Sequence, residues 1–109
     1  MNKGKPYEDL ASSFLQKNNY KILAKNFSCF YGEIDIIAYK NKNLIAVEVK
    51  GGKNPFYKIN KSKMEKIIKT LHFFISQNKI SYESIRIDAI FIQDLQGRTI
   101  IEHIENITI

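Results

Sequence analysis

The chain has 109 residues, of which 44% are hydrophobic and 26% charged, with 17 Lys and Arg against 11 Asp and Glu. This length and composition predict a single globular domain over residues 1–109 and exclude a second core. One cysteine, Cys29, excludes an internal disulfide, and no apolar run approaches the ~20 residues of a membrane span, so we expect a cytoplasmic protein without a membrane partner.

The positive charge is concentrated in one quarter of the sequence. Between Lys40 and Lys66 lie eight lysines and two acids, a net charge of +6 that equals the net charge of the whole chain. A basic segment of this kind indicates an anionic partner such as nucleic acid. The alternative is a Lys-rich composition without functional meaning, which explains the total charge better than its placement.

Seven elements follow one another along the chain. The first helix begins at Pro6 and ends before Asn18 and Asn19, because Leu10 and Phe14 belong to an apolar set at helical spacing. Alternating or β-branched patterns predict strands at 20–30, 33–39, 44–50, 85–92 and 99–103. Their order, α-β-β-β-α-β-β, predicts an α/β fold with a central mixed sheet and helices on its faces.

The second helix is predicted over about residues 60–77, between the third and fourth strands. Its apolar stripe includes Met64, Ile67 and Leu71. Ser62 and Glu65 have the spacing of a capping box, which favours a helix start at this point.

The second and third strands are predicted to form a hairpin. A loop of two residues, Asn41-Lys42, or of four, gives antiparallel pairs whose residue numbers sum to 83. One face then pairs Asp35 with Glu48 and Glu33 with Lys50, and the other pairs Ile34 with Val49, Ile36 with Val47 and Ala38 with Ile45. An odd-length loop would place carboxylates against the apolar set and lose the free energy of its burial.

This register predicts a site for a hard divalent cation. Directly opposed Cβ atoms lie ~4.5–5.5 Å apart, so Asp35 and Glu48 can share one cation that offsets their repulsion. Oxygen ligands without a nearby His or Cys favour Mg²⁺ or Mn²⁺ over Zn²⁺. Such an ion suits hydrolysis of a phosphodiester, for which Lys50 would orient the attacking water and stabilise negative charge.

A solvated face is the alternative to a metal site. On it, Glu33 and Lys50 would form an ion pair of small energetic value, with Asp35 and Glu48 in contact with water. Ile37 and Ala46 share this face, which indicates that a helix partly covers it.

Asp35 followed by Glu48-Val49-Lys50 after a hairpin resembles the PD-(D/E)xK motif of nucleases. More closely, the chain is similar to the YraN-like family of small bacterial proteins, which have a restriction-endonuclease-like fold and resemble Holliday-junction resolvases. The similarity covers almost the whole chain. It is carried by Gly4, Glu8-Asp-Leu-Ala11, Asn26, Gly32-Glu-Ile-Asp-Ile-Ile-Ala38, Val47-Glu-Val-Lys50, Lys63 and Arg86-Ile-Asp88.

The resemblance implies a metal-dependent endonuclease that acts on DNA rather than RNA, including branched or structured DNA. Asp35 and Glu48 match the metal-binding acids and Lys50 the catalytic lysine, and Glu8 matches an acid that the first helix adds to the metal site. Glu33 is expected to support the site from beside it. A resolvase needs two active sites, so the resemblance also implies a homodimer.

Three lysines are expected to contact nucleic acid: Lys53, Lys61 and Lys63. An arginine of the family pattern is replaced here by Gly51-Gly52-Lys53, so its phosphate contact would pass to Lys53, which cannot reproduce a bidentate guanidinium contact. The basic segment as a whole is expected to lie around the acids of the hairpin and to bring a polyanion to them.

Several alternatives remain open at the level of sequence. Glu8 can also be an acid favoured by the dipole of the first helical turn. Asp88 is expected to form a salt link or lie at a strand edge, with support of the site as the alternative, and neither His72 nor His103 is expected to bind metal. Tyr31, with Phe56 and Tyr57, can stack on bases or pack against the core. A non-catalytic nucleic-acid-binding module and a protein-interaction domain are the rival functions.

Overall fold

The computed structural model describes residues 5–52 and 59–107, which form two helices and one five-stranded sheet. The elements are α1 (Lys5–Lys17), β1 (Lys21–Cys29), β2 (Gly32–Lys40), β3 (Asn43–Gly52), α2 (Lys61–Gln77), β4 (Ser84–Leu95) and β5 (Arg98–Ile104). This order confirms the predicted one, and the predicted bounds agree to within three residues at each end. Neither described helix is long and apolar enough to cross a membrane.

The strands lie side by side in the order in which they occur in the chain. All neighbouring strands are antiparallel except β3 and β4, whose parallel register runs from Asn43–Ser84 to Gly52–Gln93. α2 lies between these two strands in the chain and makes the crossover that a parallel pair requires. The sheet is therefore mixed, as the sequence predicts.

The two helices pack against two separate cores. Ala11 and Leu15 of α1 contact one core, to which the hairpin contributes Ile36 and Val47. Residues of α2 contact the other core together with the fully buried Ile37, Leu44 and Ala46 of the hairpin, and they are Ile67, Leu71 and Phe74. The face that carries Ile37 and Ala46 is thus covered by a helix, as predicted.

The hairpin of β2 and β3 has the predicted loop and the predicted register. Asn41 and Lys42 both have positive φ, of 51° and 63°, which is the conformation of a two-residue turn that matches the twist of its strands. The pairs run from Lys40–Asn43 to Ile36–Val47, and each pair of residue numbers sums to 83. Local turn chemistry therefore sets the register of the strands that carry the acids.

The prediction that successive residues of β2 alternate between the two faces of the sheet is wrong on the side of Ile36 that lies away from the hairpin turn. The β2–β3 ladder ends at Ile36–Val47, so the pairs predicted for Glu33, Ile34 and Asp35 are not ladder pairs. Ile34 packs in the core under α2, although Ile36 packs in the core under α1. β1 is irregular beside this point, where Asn26 has a φ of 53°. The strand thus changes its facing at Asp35, which strict alternation cannot describe.

The start of α2 differs from the predicted capping box. The N-cap is Asn60, whose side-chain Oδ1 accepts a hydrogen bond of 2.8 Å from the backbone N of Lys63. An Asn side chain is short enough to reach this backbone donor and satisfies it as well as Ser does. Ser62 consequently lies inside the first turn of α2 rather than at its cap, and Glu65 lies beyond that turn.

Candidate active site

The residues of the candidate site lie around Asp35. Its Oδ2 accepts a hydrogen bond of 2.8 Å from the backbone N of Val49. This bond forms just past the end of the β2–β3 ladder and fixes the carboxylate against β3. The carboxyl groups of Glu48 and Glu8 both lie close enough to that of Asp35 for it to raise their pKa values. The predicted neighbours Asp35 and Glu48 therefore meet through their side chains rather than as a ladder pair.

Glu48 is a buried carboxyl group in an acidic environment. Its exposed fraction is 5%, and its Oε1 is buried without a hydrogen-bond partner. Burial raises the pKa of Glu48 to about 8, with a further contribution from the charge of Asp35, while the charge of Lys63 opposes the shift. Without a cation, a proton on Glu48 removes the repulsion between the two carboxylates at neutral pH.

Glu8 of α1 lies beside Asp35. Its exposed fraction is 7%, and its Oε1 is also buried without a partner. Burial raises the pKa of Glu8 against the opposing effect of a hydrogen bond with the side chain of Asn26, and Asp35 raises it further. An acid placed in the first turn only for the helix dipole would lie in solvent, so burial beside Asp35 favours a role in the site.

Contacts with the last residues of β3 and β4 fix the start of α1. The hydroxyl of Tyr7 donates a hydrogen bond of 2.8 Å to Asp94. The ring of Tyr7 lies against the backbone of Gly51, where an added Cβ would be 2.2 Å from the ring Cγ. Position 51 therefore has to be a glycine for the ring of Tyr7 to come this close to β3. The position of Tyr7 in turn sets that of Glu8, the next residue in the chain.

Lys50 and Glu33 lie at the border of the buried acids. Lys50 is exposed and follows Glu48 by two residues, about 6.6 Å along the same side of β3. Glu33 is exposed, and its charge raises the pKa of both Glu8 and Glu48. Glu33 therefore lies near enough to both acids to act on them electrostatically.

Of the three predicted nucleic-acid-binding lysines, Lys63 is at the site. It acts electrostatically on Glu48 and lines a cavity of about 350 Å³ together with Gly32, Glu33, Asn60, Ser62, Lys66 and Ile67. Lys61 instead lines a largely apolar groove with Met64, Ile68 and Ile85. Lys53 lies outside the described residues, as do Gly4, Phe56 and Tyr57.

The donor atoms of this site suit a hard divalent cation. Buried polar atoms normally have a hydrogen-bond partner. Glu8 Oε1 and Glu48 Oε1 lack one, and both residues interact with Asp35, so a bound cation would satisfy these oxygens. In the described part of the chain, no three His, Cys, Asp or Glu side chains are already arranged to hold a metal ion together. Glu8 and Glu48 thus each interact with Asp35 as a pair.

A second polar cluster, which sequence reasoning underestimated, lies around the fully buried Asp88. Its carboxylate accepts hydrogen bonds of 2.9 Å from Arg86 and from the backbone N of Asn106, and it lies 2.8 Å from Nε2 of His103. Arg86 also donates to the hydroxyl of Tyr20. The salt link of Asp88 is confirmed, and the cluster joins β4 to the end of β5.

The residues that sequence reasoning missed have weak signals in the sequence. The sequence has no second residue at the spacing of a metal site with His103. In the structure, His103 instead contacts the carboxylate of Asp88, which lies 15 residues away in the chain. Asn26 is one of the residues that carry the family resemblance, but the sequence assigns it no role. In the structure its side chain is a hydrogen-bond partner of Glu8. Ser12, whose buried Oγ has no partner, lies one helical turn after Glu8 and has no signal at all.

Comparison with known proteins identifies relatives over most of the chain. The model of the uncharacterised protein family UPF0102 matches residues 7–92. A UPF0102 protein of Petrotoga mobilis is 48% identical over 93 residues, which cover 81% of this chain and 83% of that protein. A UPF0102 protein of Wolinella succinogenes is 40% identical over 109 residues and covers 98% of this chain and 96% of its own length. The matched range includes Glu8, Asp35, Glu48 and Lys50.

Proposed function

The chain belongs to the uncharacterised protein family UPF0102, in keeping with the YraN-like resemblance, and we propose that it is a metal-dependent nuclease with a restriction-endonuclease-like fold. Its substrate is a nucleic acid, and DNA is favoured over RNA. The DNA substrates include branched or structured DNA. Asp35, Glu48 and Glu8 hold Mg²⁺ or Mn²⁺, and Lys50 assists the reaction.

One observation carries this proposal. Two carboxylates from different elements, Glu8 of α1 and Glu48 of β3, are buried against Asp35, and each has an oxygen without a partner. A carboxylate buried without compensation costs on the order of several kcal/mol, so a chain that brings three together needs a cation or protons to neutralise them. A structural ion pair would leave no such unpartnered oxygens.

The residues around these acids support phosphodiester hydrolysis. A divalent cation would lower the pKa of a bound water and offset the charge of the phosphate. Asp35 is already oriented by the backbone N of Val49, and its carboxyl group lies beside those of Glu8 and Glu48. Lys50 would orient the attacking water and stabilise the negative charge that develops on the phosphate. Lys63 and Lys66 at the cavity beside Glu33 would contact neighbouring phosphates.

The test is a cleavage assay with matched variants. We expect the full chain to cut at least one of linear duplex, single-stranded, flap and four-way-junction DNA in Mg²⁺ or Mn²⁺, and to lose cutting with a chelator. Asp35→Asn should abolish cutting, whereas Glu102→Gln, an exposed acid on β5, should not. Equal inactivity of wild type and Asp35→Asn on every substrate would contradict nuclease activity.

Metal binding has its own readout. A cation that binds only the folded chain raises its melting temperature, by an amount that grows with the cation concentration. We expect Mn²⁺ to raise the melting temperature of wild type and of Glu102→Gln but not that of Asp35→Asn. No shift in any of the three proteins would contradict the metal site.

A non-catalytic nucleic-acid-binding module is the second candidate. It is favoured by the absence, in the described residues, of three side chains already arranged around a metal. This module would bind DNA with an affinity that falls steeply with salt and is unchanged by Glu48→Gln. Cleavage by wild type would exclude it.

A further inference from the structure

The tip of the β1–β2 hairpin carries an aromatic surface that folding does not explain. The two-residue turn between β1 and β2 consists of Phe30 and Tyr31, which are 98% and 46% exposed. Their rings meet edge to face, with centroids 5.8 Å apart. A phenylalanine side chain that is almost wholly in solvent gains nothing from the hydrophobic effect in the free protein.

A third exposed aromatic residue extends this surface across α2. Phe73 is 37% exposed and borders, with Tyr31, a shallow cavity of about 420 Å³ that is also lined by Lys69, His72 and Ser76. We call Phe30, Tyr31, Phe73, Lys69 and His72 the aromatic tip. Among the described residues, the large exposed aromatic side chains occur only here, whereas the other exposed large hydrophobics are aliphatic.

Phe73 and Lys69 of the aromatic tip lie on the same stripe of α2 as the lysines at the candidate active site. Lys63, Lys66, Lys69 and Phe73 follow one another at intervals of three or four residues, so they share one side of α2. All three lysines are exposed, and Glu65 is the one acid in α2. Gly32, which follows Tyr31, already borders the cavity lined by Lys63 and Lys66.

We propose that the aromatic tip stacks on an unpaired nucleobase of the nucleic acid whose phosphates lie along α2. Exposed aromatic rings beside lysines are the chemistry of single-strand recognition, since each base offers a π-face and the lysines contact the backbone. A protein partner would also cover apolar rings, but the positive stripe beside them favours a polyanion.

The geometry also sets the position of the unpaired base. Lys63 and Phe73 are ten residues apart on α2, about 15 Å along its axis, which corresponds to roughly four base-pair steps of a duplex at 3.4 Å per step. The inference rests on the proposed function and narrows its substrate. The preferred substrate has single-stranded nucleotides about four steps from the phosphate at Asp35 and Glu48, as in a flap or an opened junction.

The experiment measures binding without cleavage. Full-length Asp35→Asn protein in chelator is titrated with a labelled single strand of about 16 nucleotides, the upper end of site sizes for one compact binding fold, and with the matching duplex. We expect Phe30→Ala to weaken single-strand binding about tenfold and duplex binding much less. Phe30→Trp should retain the affinity, and Phe30→Leu should not, because leucine keeps the apolar surface but lacks a π-face.

The controls separate stacking from other uses of an apolar surface. Leu95→Ala and Ile100→Ala remove exposed side chains at the β4–β5 end of the sheet and should leave binding unchanged. When the strand carries a fluorescent adenine analogue, binding to the protein that retains Phe30 should quench its fluorescence. This quenching should disappear in Phe30→Ala. Equal affinities of Phe30→Ala, Phe30→Leu and the parent, or a dimer that only Phe30→Ala dissociates, would overturn the proposal.

The same variants distinguish the two proposals. Absence of stacking, together with cleavage by the protein that retains Asp35, would overturn only the role of the aromatic tip. Stacking without cleavage on any substrate would overturn only the nuclease.

Discussion

Glu48 is the residue whose environment conflicts most with a negative charge. Burial, together with Asp35, raises its pKa from 4.5 to about 8. Between these two pH values the folded chain keeps a proton that the unfolded chain has released. Because the folded state then binds more protons, the free energy of unfolding falls as the pH rises.

We therefore expect the melting temperature of the wild type, measured in the presence of a chelator, to fall as the pH rises from 4.5 to 8. Glu48→Gln should remove most of this slope of melting temperature against pH. Glu8, whose pKa is also raised by burial, accounts for the slope that remains. Thermal unfolding of both proteins across this pH range is the measurement, with Glu102→Gln as the control. A slope that Glu48→Gln leaves unchanged would contradict the raised pKa.

Asp88 is the opposite case, a buried acid that is fully compensated. Burial alone would raise its pKa, but hydrogen bonds from His103, Arg86 and Asn106 lower it below the ordinary 3.8. The carboxylate therefore stays ionised, and its stabilising effect is present above that pH and disappears as the pH falls through the lowered value.

Removing this charge should be costly. We expect Asp88→Asn to lower the free energy of unfolding by about 3 kcal/mol, since it leaves the guanidinium of Arg86 without its buried partner. Glu83→Gln, which breaks an exposed pair with Lys42, should cost less than ~1 kcal/mol. Urea denaturation of both variants measures the difference, and similar reductions would contradict a compensated buried charge.

At the scale of elements, α1 contributes Glu8 only because its first turn lies close to β3. The ring of Tyr7 occupies the space that a side chain at Gly51 would need. The position of one proposed metal-binding acid therefore depends on a glycine that follows the sequence motif and has no chemistry of its own.

We expect Gly51→Ala to reduce stability by about 1–3 kcal/mol and to reduce metal-dependent activity, because the start of α1 must move. In a Tyr7→Ala background the same substitution should cost little, since the clash is gone. The double-mutant cycle on unfolding free energy measures this coupling. Additive effects of the two substitutions would show that Gly51 and Tyr7 do not constrain each other.

Element order and the hairpin register are within reach of the sequence, because each depends on neighbouring residues. Apolar periodicity distinguishes helix from strand, and the Asn41-Lys42 turn fixes which residues face each other. The cap of α2 is less accessible, since Asn60 and Ser62 are both competent N-caps and packing decides between them.

At the scale of the whole molecule, the basic segment divides into two parts. Lys40 and Lys42 lie at the turn end of the hairpin, about 17 Å of β3 away from Glu48. Lys40 contacts the ring of Tyr20 and the backbone of Asn18, and Lys42 pairs with Glu83. The expectation that the whole basic segment surrounds the acids is therefore wrong. Among the described lysines of this segment, Lys63 and Lys66 of α2 and Lys50 of β3 are the ones beside the site.

Salt dependence of DNA binding should reveal this division. We expect Lys63→Ala with Lys66→Ala to reduce the slope of log K against log salt by about 1.4 for single strands, which is ~0.7 for each phosphate that a lysine no longer neutralises. Lys17→Ala with Lys21→Ala changes the net charge equally at the far end of α1 and should leave the slope unchanged. Equal reductions in the two double variants would indicate a response to net charge alone.

The sequence by itself determined the element order, the mixed sheet and the register of the hairpin next to its turn, because these follow from local periodicity and turn chemistry. Only the tertiary structure decided that Glu8 lies buried against Asp35, that strand alternation breaks at Asp35, and that His103 binds Asp88. These features join residues far apart in the chain through burial and hydrogen bonding. No local pattern specifies which distant groups will share one desolvated space.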